Sequence, residues 1–133
     1  MTERIWSIAR RDGPLVAMAI HDGSAVRDDV RRHMVLDGAV RRREEDPYTA
    51  AWTRVAPLRI VGLRSRFEVD LNRPREQAVY RTPADCWGLN VWKGRLPQAV
   101  VSRSLEEYAA FYAMLGKIYA GLAEKYGRFV VFD

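Results

Sequence analysis

The sequence predicts an α/β fold, a central sheet with flanking helices, in a single domain spanning residues 1–133. Three observations support this prediction. Residues 15–20 form a continuous apolar run, which is typical of a strand buried on both faces. Apolar side chains recur every three to four positions over residues 105–126, which indicates a long amphipathic helix. Residues 128–133 indicate another buried strand, so helix and strand together form half of a βαβ crossover.

Local patterns predict the remaining elements. In chain order they are a strand at residues 5–9, a turn at 11–14, a helix at 26–40, a loop at 41–53 and a strand at 58–63. The helix is expected because Val26, Val30 and Met34 recur at helical spacing. The loop is the most polar part of the chain, and Asp46-Pro47 indicates a turn because proline favours the second position of type I turns.

The long helix has a predicted start and end. Ser104 and Glu107 match a capping box, in which each side chain accepts from the backbone amide of the other residue. Gly127 can adopt the left-handed conformation that ends many helices. At 1.5 Å per residue such a helix is about 33 Å long, and its aromatic stripe is expected in the core.

The most charged segment that resembles a strand is residues 66–75. Charged and apolar side chains alternate over residues 66–71, which predicts a half-buried strand that ends before Pro74. Asn72 and Arg73 would then lie at a strand end, where open α/β sheets bind ligands. An amide beside a guanidinium can hold a carboxylate, because arginine offers paired donors in a planar fork. A structural cluster of ion pairs is the alternative, and the segment alone does not decide between them.

His21 directly follows the apolar run and precedes Asp22-Gly23. The carboxyl end of a buried strand is where α/β proteins place their chemistry. A histidine there can be a metal ligand or a hydrogen-bonded structural residue, and both interpretations remain open at this point.

Composition narrows the classes of partner. The formal net charge is +5, but 17 acidic residues are interleaved with 22 basic ones, nearly all of them arginine. Nucleic-acid binding is not expected, because a phosphate-tracking face needs a segregated basic stripe. No run approaches the about 18 apolar residues of a membrane span, and the N-terminus lacks a secretory core. With Cys86 as the single cysteine, a cytoplasmic location without membrane association is expected.

Five segments are informative when taken together. They are His21-Asp22-Gly23, Arg43-Glu44-Glu45-Asp46-Pro47-Tyr48-Thr49, Glu68-Val69-Asp70-Leu71-Asn72-Arg73-Pro74-Arg75, Cys86-Trp87-Gly88-Leu89 and Gly127-Arg128-Phe129-Val130-Val131-Phe132-Asp133. In this order and spacing they resemble the N-formylglutamate amidohydrolase family over essentially the whole chain. The resemblance implies a zinc-carboxypeptidase-like fold with a mixed central sheet. It also implies zinc-dependent hydrolysis of small N-acyl amino acids, in the simplest case N-formyl-L-glutamate to formate and glutamate.

The resemblance further implies roles for individual residues at the metal. His21 would be the first zinc ligand, and the acidic ligand would come from Asp46 or Glu45, with Asp46 favoured. In the related zinc peptidases the acid usually lies three residues after the first histidine, where this chain has Ser24. The acid must therefore come from elsewhere in the chain.

On the substrate side, the resemblance implies that Asn72 and Arg73 hold the substrate carboxylate. Arg66 is expected to be a third substrate-binding residue. Asp70 would lie behind them and orient a metal ligand or an arginine. This agrees with the carboxylate-binding interpretation of the segment.

The chain departs from the family pattern at its end. Family members continue past the equivalent of Asp133 into Leu-His-Ser-Tyr, whose histidine is the expected third ligand, and the general base is expected further on. The chain is therefore expected to be an N-terminal portion, truncated at its C-terminus, that holds zinc weakly or with a ligand from solvent or a neighbouring chain. An exposed apolar edge at residues 129–132 predicts homo-oligomerisation through the sheet.

Two hypotheses follow. The first is a metal-dependent hydrolase of N-acyl amino acids, and it requires His21, Asp46 and Arg73 to converge on one cleft. The second is a non-catalytic remnant of the same fold that binds an amino acid or a protein partner.

Overall fold

The computed structural model describes residues 3–133. In chain order the strands are β1 (Trp6–Arg10), β2 (Leu15–Ala19), β3 (Leu58–Gly62) and β4 (Val130–Phe132), and the α-helices are α1 (Asp28–Arg31), α2 (Gly38–Glu44) and α3 (Gln98–Tyr126). Short 3-10 helices occupy Thr49–Val55, Arg75–Gln77 and Pro83–Asp85. Four of the five predicted strands, at 5–9, 15–20, 58–63 and 128–133, are confirmed. The last of them is not buried as predicted, because it lies at the edge of the sheet with Val130 and Phe132 about half exposed.

The strands form one mixed sheet in the order β1-β3-β2-β4. β3 pairs antiparallel with β1 and parallel with β2, and β2 pairs parallel with β4. The prediction of an α/β fold with a mixed central sheet is thereby confirmed. β2 and β3 occupy the centre of the sheet, so their carboxyl ends emerge side by side.

Helix α3 covers one face of the sheet. Val16 and Ile60 point to that face and are 0% exposed, and they lie in one core cluster with Phe111 and Leu115 of the helix. Burying each large apolar side chain stabilises the fold by about 1.5–3 kcal/mol. The 3-10 helix Thr49–Val55 packs against β2 and β3.

Helix α3 begins earlier than predicted. It starts at Gln98, directly after Pro97, and its 29 residues give a length of about 43 Å. The predicted capping box is therefore wrong: Ser104 is 1% exposed inside the helix and accepts a hydrogen bond from Arg27. Glu107 also binds Arg27, at 2.9 Å. The predicted end is confirmed, since Gly127 has φ +71°.

The single helix predicted at residues 26–40 is wrong. Helix α1 ends at Arg31, and the chain then extends so that Met34 bridges Trp92. Asp37 starts α2 by accepting from the amide of Ala39 at 2.7 Å. Pairing with the 91–93 segment overrides the helical spacing of the apolar residues. Residues 41–53 are correspondingly not one loop, although the predicted turn at 46–49 is present.

The strand predicted at residues 66–71 is also wrong. The amides of Glu68 and Val69 both bond back to the Ser65 carbonyl, at 3.0 and 3.3 Å, which makes a turn. Glu68 and Asp70 are each 1% exposed, as deeply buried as the apolar residues between them. The alternation therefore places charged side chains in one buried environment and apolar side chains in another. It does not separate a solvent-exposed face of a strand from a buried face.

Two glycines let the chain beyond β2 lie close beside the end of β3 and its continuation. A Cβ on Gly23 would lie 2.2 Å from the Leu63 carbonyl carbon, and one on Gly62 would lie 2.5 Å from the Ile20 oxygen. A bond from the Ala25 amide to the Leu63 carbonyl continues this contact. The loop that carries His21 is thus held against the segment that leads to Asp70.

Strand β4 forms one edge of the sheet, where among residues 3–133 it pairs with β2 alone. Its Val130 and Phe132 are 54% and 53% exposed, as expected for an apolar edge. Within the same described range, no helix combines the length and hydropathy needed to cross a bilayer.

Candidate active site at the carboxyl end of strand β2

His21 lies between two carboxylates just beyond β2. Its Nε2 is 2.7 Å from Asp70 Oδ1, and its Nδ1 is 3.5 Å from Asp46 Oδ2. The ring is 8% exposed. Because a carboxylate accepts, the Nε2 atom carries the proton and donates to Asp70, which fixes the ring orientation and turns Nδ1 towards Asp46.

Asp70 is charged although it is buried. Burial alone would raise the pKa of Asp70, but hydrogen bonds from His21 and Tyr80 and the backbone amide of Asn72 lower it to about 2. Tyr80 Oη donates to Oδ2, while the Asn72 amide donates to Oδ1 at 2.9 Å. Asp70 thus has a fixed orientation and a permanent negative charge at ordinary pH.

The two acidic ligand candidates lie in different places. The Asp46 side chain is 54% exposed, and its backbone amide donates to the His21 carbonyl at 3.0 Å. Glu45 is 1% exposed, accepts from Ser65 Oγ at 2.5 Å and lies 3.6 Å from Arg41. Burial raises the pKa of Glu45. Of the two, only Asp46 faces the imidazole.

Arg66 bridges the two acids that face His21. Its Nη1 is 3.8 Å from Asp46 Oδ2 and its Nη2 is 3.6 Å from Asp70 Oδ2. Nη1 also donates to the Glu44 carbonyl at 2.8 Å, and the guanidinium lies 5.0 Å over the Trp87 ring. These contacts hold Arg66 in the frame of the site. We name His21, Asp46, Arg66 and Asp70 the open cluster.

Arg73 and Asn72 adjoin the open cluster. Arg73 Nε lies 3.5 Å from Asp70 Oδ2, its guanidinium stacks 4.6 Å over the Tyr80 ring, and its side chain is 26% exposed. Tyr108 Oη donates to its backbone carbonyl at 2.8 Å. Asn72 is exposed and lines the adjacent pocket. The guanidinium is therefore positioned but not fully covered.

A pocket of about 380 Å³ opens beside His21. Its polar wall contains His21, Asp46, Asn72 and Asp133, and its apolar wall contains Ala17, Ala19, Trp52, Val55 and Phe132. Burial raises the pKa of Asp133, and electrostatic attraction to the His21 imidazole opposes part of that rise. Arg73 does not line this pocket; it reaches the site through Asp70.

Two side-chain donors that face the pocket lie close to the separation of two ligands on one metal ion. Two ligands on a tetrahedral zinc, each about 2.0–2.1 Å from the metal, lie roughly 3.3 Å apart, and the His21 Nδ1 to Asp46 Oδ2 distance is 3.5 Å. The bond from Nε2 to Asp70 is the outer contact that metal-bound histidines usually make. Within residues 3–133, no group of three or more His, Cys, Asp and Glu side chains is arranged to hold a metal.

A second charged group lies on the other side of the 64–70 segment. Arg64 and Glu68 form a two-pronged pair at 2.6 and 2.9 Å, and the Arg27 amide donates to Glu68 at 2.6 Å. Burial, together with Glu68, raises the pKa of Glu107, which also binds Arg27. We name Arg27, Arg64, Glu68 and Glu107 the closed cluster, because its members mainly bind one another.

Sequence reasoning missed Tyr80. The residue is 1% exposed, yet no recognisable motif lies beside it in the sequence. Its hydroxyl meets Asp70 and its ring meets Arg73, so it contacts both predicted halves of the site. No local sequence signal could have identified it, because the contacts arise from the turn at Asp70, whose amide bonds to the Ala78 carbonyl at 2.7 Å.

Comparisons with known proteins identify the family and the fold. The profile of the N-formylglutamate amidohydrolase family matches residues 13–133. The fold is similar to the crystal structure of N-formylglutamate amidohydrolase from Ralstonia eutropha JMP134, with a TM-score of 0.76 and 20% sequence identity over 96% of this chain. The chain spans 55% of the length of that structure. No curated protein matches the sequence.

Proposed function

Because the chain belongs to the N-formylglutamate amidohydrolase family, we propose that it takes part in metal-dependent hydrolysis of N-acyl amino acids, with N-formylglutamate as the first substrate to test. The observation that supports this most directly is the placement of His21. One ring nitrogen is bound by a buried carboxylate, and the other faces an exposed acid at the mouth of a pocket. A purely structural role for His21 would be accounted for by the hydrogen bond to Asp70 alone, without an exposed acid facing the other ring nitrogen.

In this proposal His21 Nδ1 and Asp46 hold zinc, and Asp70 keeps the imidazole in the required orientation. Glu45 is not included, because its carboxylate binds Ser65 away from the pocket. Zinc, when bound, lowers the pKa of its water to about 7 and polarises the acyl carbonyl. Two protein ligands leave positions for water and for a donor from elsewhere.

Asn72 and Arg73 bind the substrate carboxylate in this proposal, and Arg66 supports them by bridging Asp46 and Asp70 and balancing their charges. Arg73 suits this role because stacking on Tyr80 fixes its plane while part of the side chain stays accessible. A fixed, planar guanidinium loses little freedom when it binds a carboxylate in two-pronged geometry. We assign no general base within the chain.

The proposed partners are small N-acyl amino acids and a second copy of the chain, with no role for nucleic acid or membrane; the proposed location is the cytoplasm. Association is proposed through β4, whose exposed Val130 and Phe132 flank unpaired backbone groups. Sedimentation of the chain at increasing concentration tests this, and a strictly monomeric species at high concentration would contradict it.

A non-catalytic remnant of the same fold is the second candidate function. The observation in its favour is that residues 3–133 provide no three-donor metal group. In that case Asn72 and Arg73 bind an amino acid or partner carboxylate, and no hydrolysis follows.

Metal analysis combined with a formate-release assay separates the two candidates. We expect the chain to bind zinc, and we expect His21→Ala to abolish zinc uptake in a chain that stays folded, with a lower melting temperature because the buried Asp70 carboxylate loses the Nε2 donor. His33→Ala is the matched control, because it removes the other histidine of the chain. Zinc uptake that is unchanged in His21→Ala would remove His21 from the ligands. A folded chain without metal and without formate release would favour the remnant.

A further inference from the structure

Tyr80 joins the two parts of the candidate site, and its contacts are of two different kinds. The hydroxyl donates to Asp70 Oδ2, the carboxylate whose other oxygen is 2.7 Å from His21 Nε2. The face of the ring lies 4.6 Å from the Arg73 guanidinium carbon. One buried side chain thus contacts the metal side and the substrate side of the proposed site.

The surroundings of Tyr80 fix its position. The ring meets Phe67 edge-on at 5.7 Å, and its backbone carbonyl accepts from Trp92 Nε1 at 2.8 Å. With 1% of its surface exposed, the side chain has no room for another rotamer. The phenol is therefore a rigid donor, and Asp70 takes its orientation from it.

We propose that Tyr80 is a positioning residue that sets the orientation of His21 through Asp70 and holds the plane of Arg73 by stacking. This inference rests on the proposed function, and it adds a residue to which no role has been assigned. Without the hydroxyl, Asp70 Oδ2 keeps only Arg66 and Arg73, at 3.6 and 3.5 Å, and both are too distant to fix it.

Two substitutions separate the two contacts. Tyr80→Phe removes the hydroxyl and keeps the ring, so it should alter His21 and spare Arg73. Tyr80→Leu removes both contacts. Tyr119→Phe is the matched control, because it deletes a tyrosine hydroxyl whose partner is Met18 Sδ at 3.8 Å.

Three measurements report on the variants. The first is the imidazole tautomer and Nε2 proton exchange of His21 by ¹⁵N NMR, with His33 as internal reference and no metal added. The second is zinc affinity by competition with a chelating dye. The third is the affinity for N-acetyl-L-glutamate by calorimetry, also without metal.

For Tyr80→Phe we expect Nε2 proton exchange at least about three-fold faster, zinc affinity about ten-fold weaker, and N-acetyl-L-glutamate affinity within two-fold of the wild type. For Tyr80→Leu we expect the carboxylate affinity to fall as well, by about three-fold. Tyr119→Phe should change none of the three.

Wild-type tautomer and proton exchange in a folded Tyr80→Phe chain would overturn the proposal. Equal losses of carboxylate affinity in Tyr80→Phe and Tyr80→Leu would overturn the stacking role of the ring. A wild-type chain that binds no zinc contradicts the proposed function, and the NMR measurement then still decides the role of Tyr80. If Tyr80→Leu does not fold, Tyr80→Phe remains decisive.

Discussion

The closed and open clusters contain the same kind of ion pair, but the distances within the two pairs differ. Both contain an arginine paired with an acid four residues later on one segment, Arg64 with Glu68 and Arg66 with Asp70. The first pair has two short contacts, at 2.6 and 2.9 Å, whereas the second lies at 3.6 Å. Asp70 is farther from its arginine because its oxygens bind His21 and Tyr80.

This difference shows how one segment supports both stability and a site. Charges in the closed cluster are buried and form ion pairs with one another, although Arg27 Nη1 and Glu107 Oε2 have no hydrogen-bond partner among the described residues. Their effect is therefore on the fold. Charges in the open cluster are only partly satisfied by one another, which leaves His21 Nδ1 and Asp46, together with the adjoining Arg73, able to contact a ligand. Substitutions in the two clusters should therefore have different effects, and the largest effect is expected in the closed cluster.

Glu68→Ala should cause the largest loss of stability. The change leaves the Arg64 guanidinium buried without its two-pronged acceptor and the Arg27 backbone amide without its partner, which costs about 3–5 kcal/mol in the free energy of unfolding. Urea unfolding measures this loss. Glu106→Ala, at an exposed position of α3, is the control and should change stability by less than about 0.5 kcal/mol. A Glu68→Ala chain as stable as the control would show that the closed cluster is not structural.

Arg73→Ala should weaken binding and not folding. Loss of one partner of a charge pair with the substrate carboxylate costs about 2–5 kcal/mol in binding, which calorimetry with N-acetyl-L-glutamate measures. Arg75→Ala, at an exposed position two residues on, is the matched control. If melting temperature and affinity fell together, Arg73 would belong with the structural arginines of the closed cluster.

Lowering the pH should destabilise the fold by protonating the buried Asp70 carboxylate. Its pKa is about 2 in the fold against an ordinary 3.8. Since the folded pKa is depressed, the ionised group adds about 2 kcal/mol of stability above pH 3.8, and this is lost as the pH falls from 3.8 to 2. The melting temperatures of the wild type and Asp70→Asn, plotted against pH, should therefore converge as the pH falls from 3.8 to 2. A constant difference between the two melting temperatures would mean that Asp70 is not held ionised.

Trp87→Leu should have the smallest effect. The indole lies over Arg66 at 5.0 Å and is 59% exposed, so the lost cation–π contact is worth about 0.5–1 kcal/mol. Chemical unfolding and zinc titration together would show whether Arg66 then moves from the open cluster. A stability loss as large as that of Glu68→Ala would mean that Trp87 has a core role.

Much of the sheet was predictable, because strands such as β2 are continuous apolar runs that can be buried on both faces. The same logic placed His21 at a strand end. The strand prediction failed at Glu68 and Asp70, because buried, paired charges give the same alternation in the sequence as a strand with one solvent-exposed face. Sequence reasoning failed again at Ser104 and Glu107, which match a capping box but bind Arg27 from a distant part of the chain.

The candidate site was predictable only where its residues lie in recognisable segments. His21, Asp46 and Asp70 do lie together, and Arg73 adjoins them through Asp70. Tyr80 was not predictable, because its role depends on a turn that pairs residues 70 and 78. Long-range contacts of this kind leave no periodic signal in the sequence.

The close approach at Gly23 has a consequence for transplanting or redesigning such a site. The segments that carry the imidazole and its carboxylate meet at a position with no side chain, where even a methyl group would lie 2.2 Å from the Leu63 backbone. Grafting the polar residues alone onto another scaffold would not reproduce their spacing. A mutational survey limited to functional groups would overlook the position on which that spacing depends.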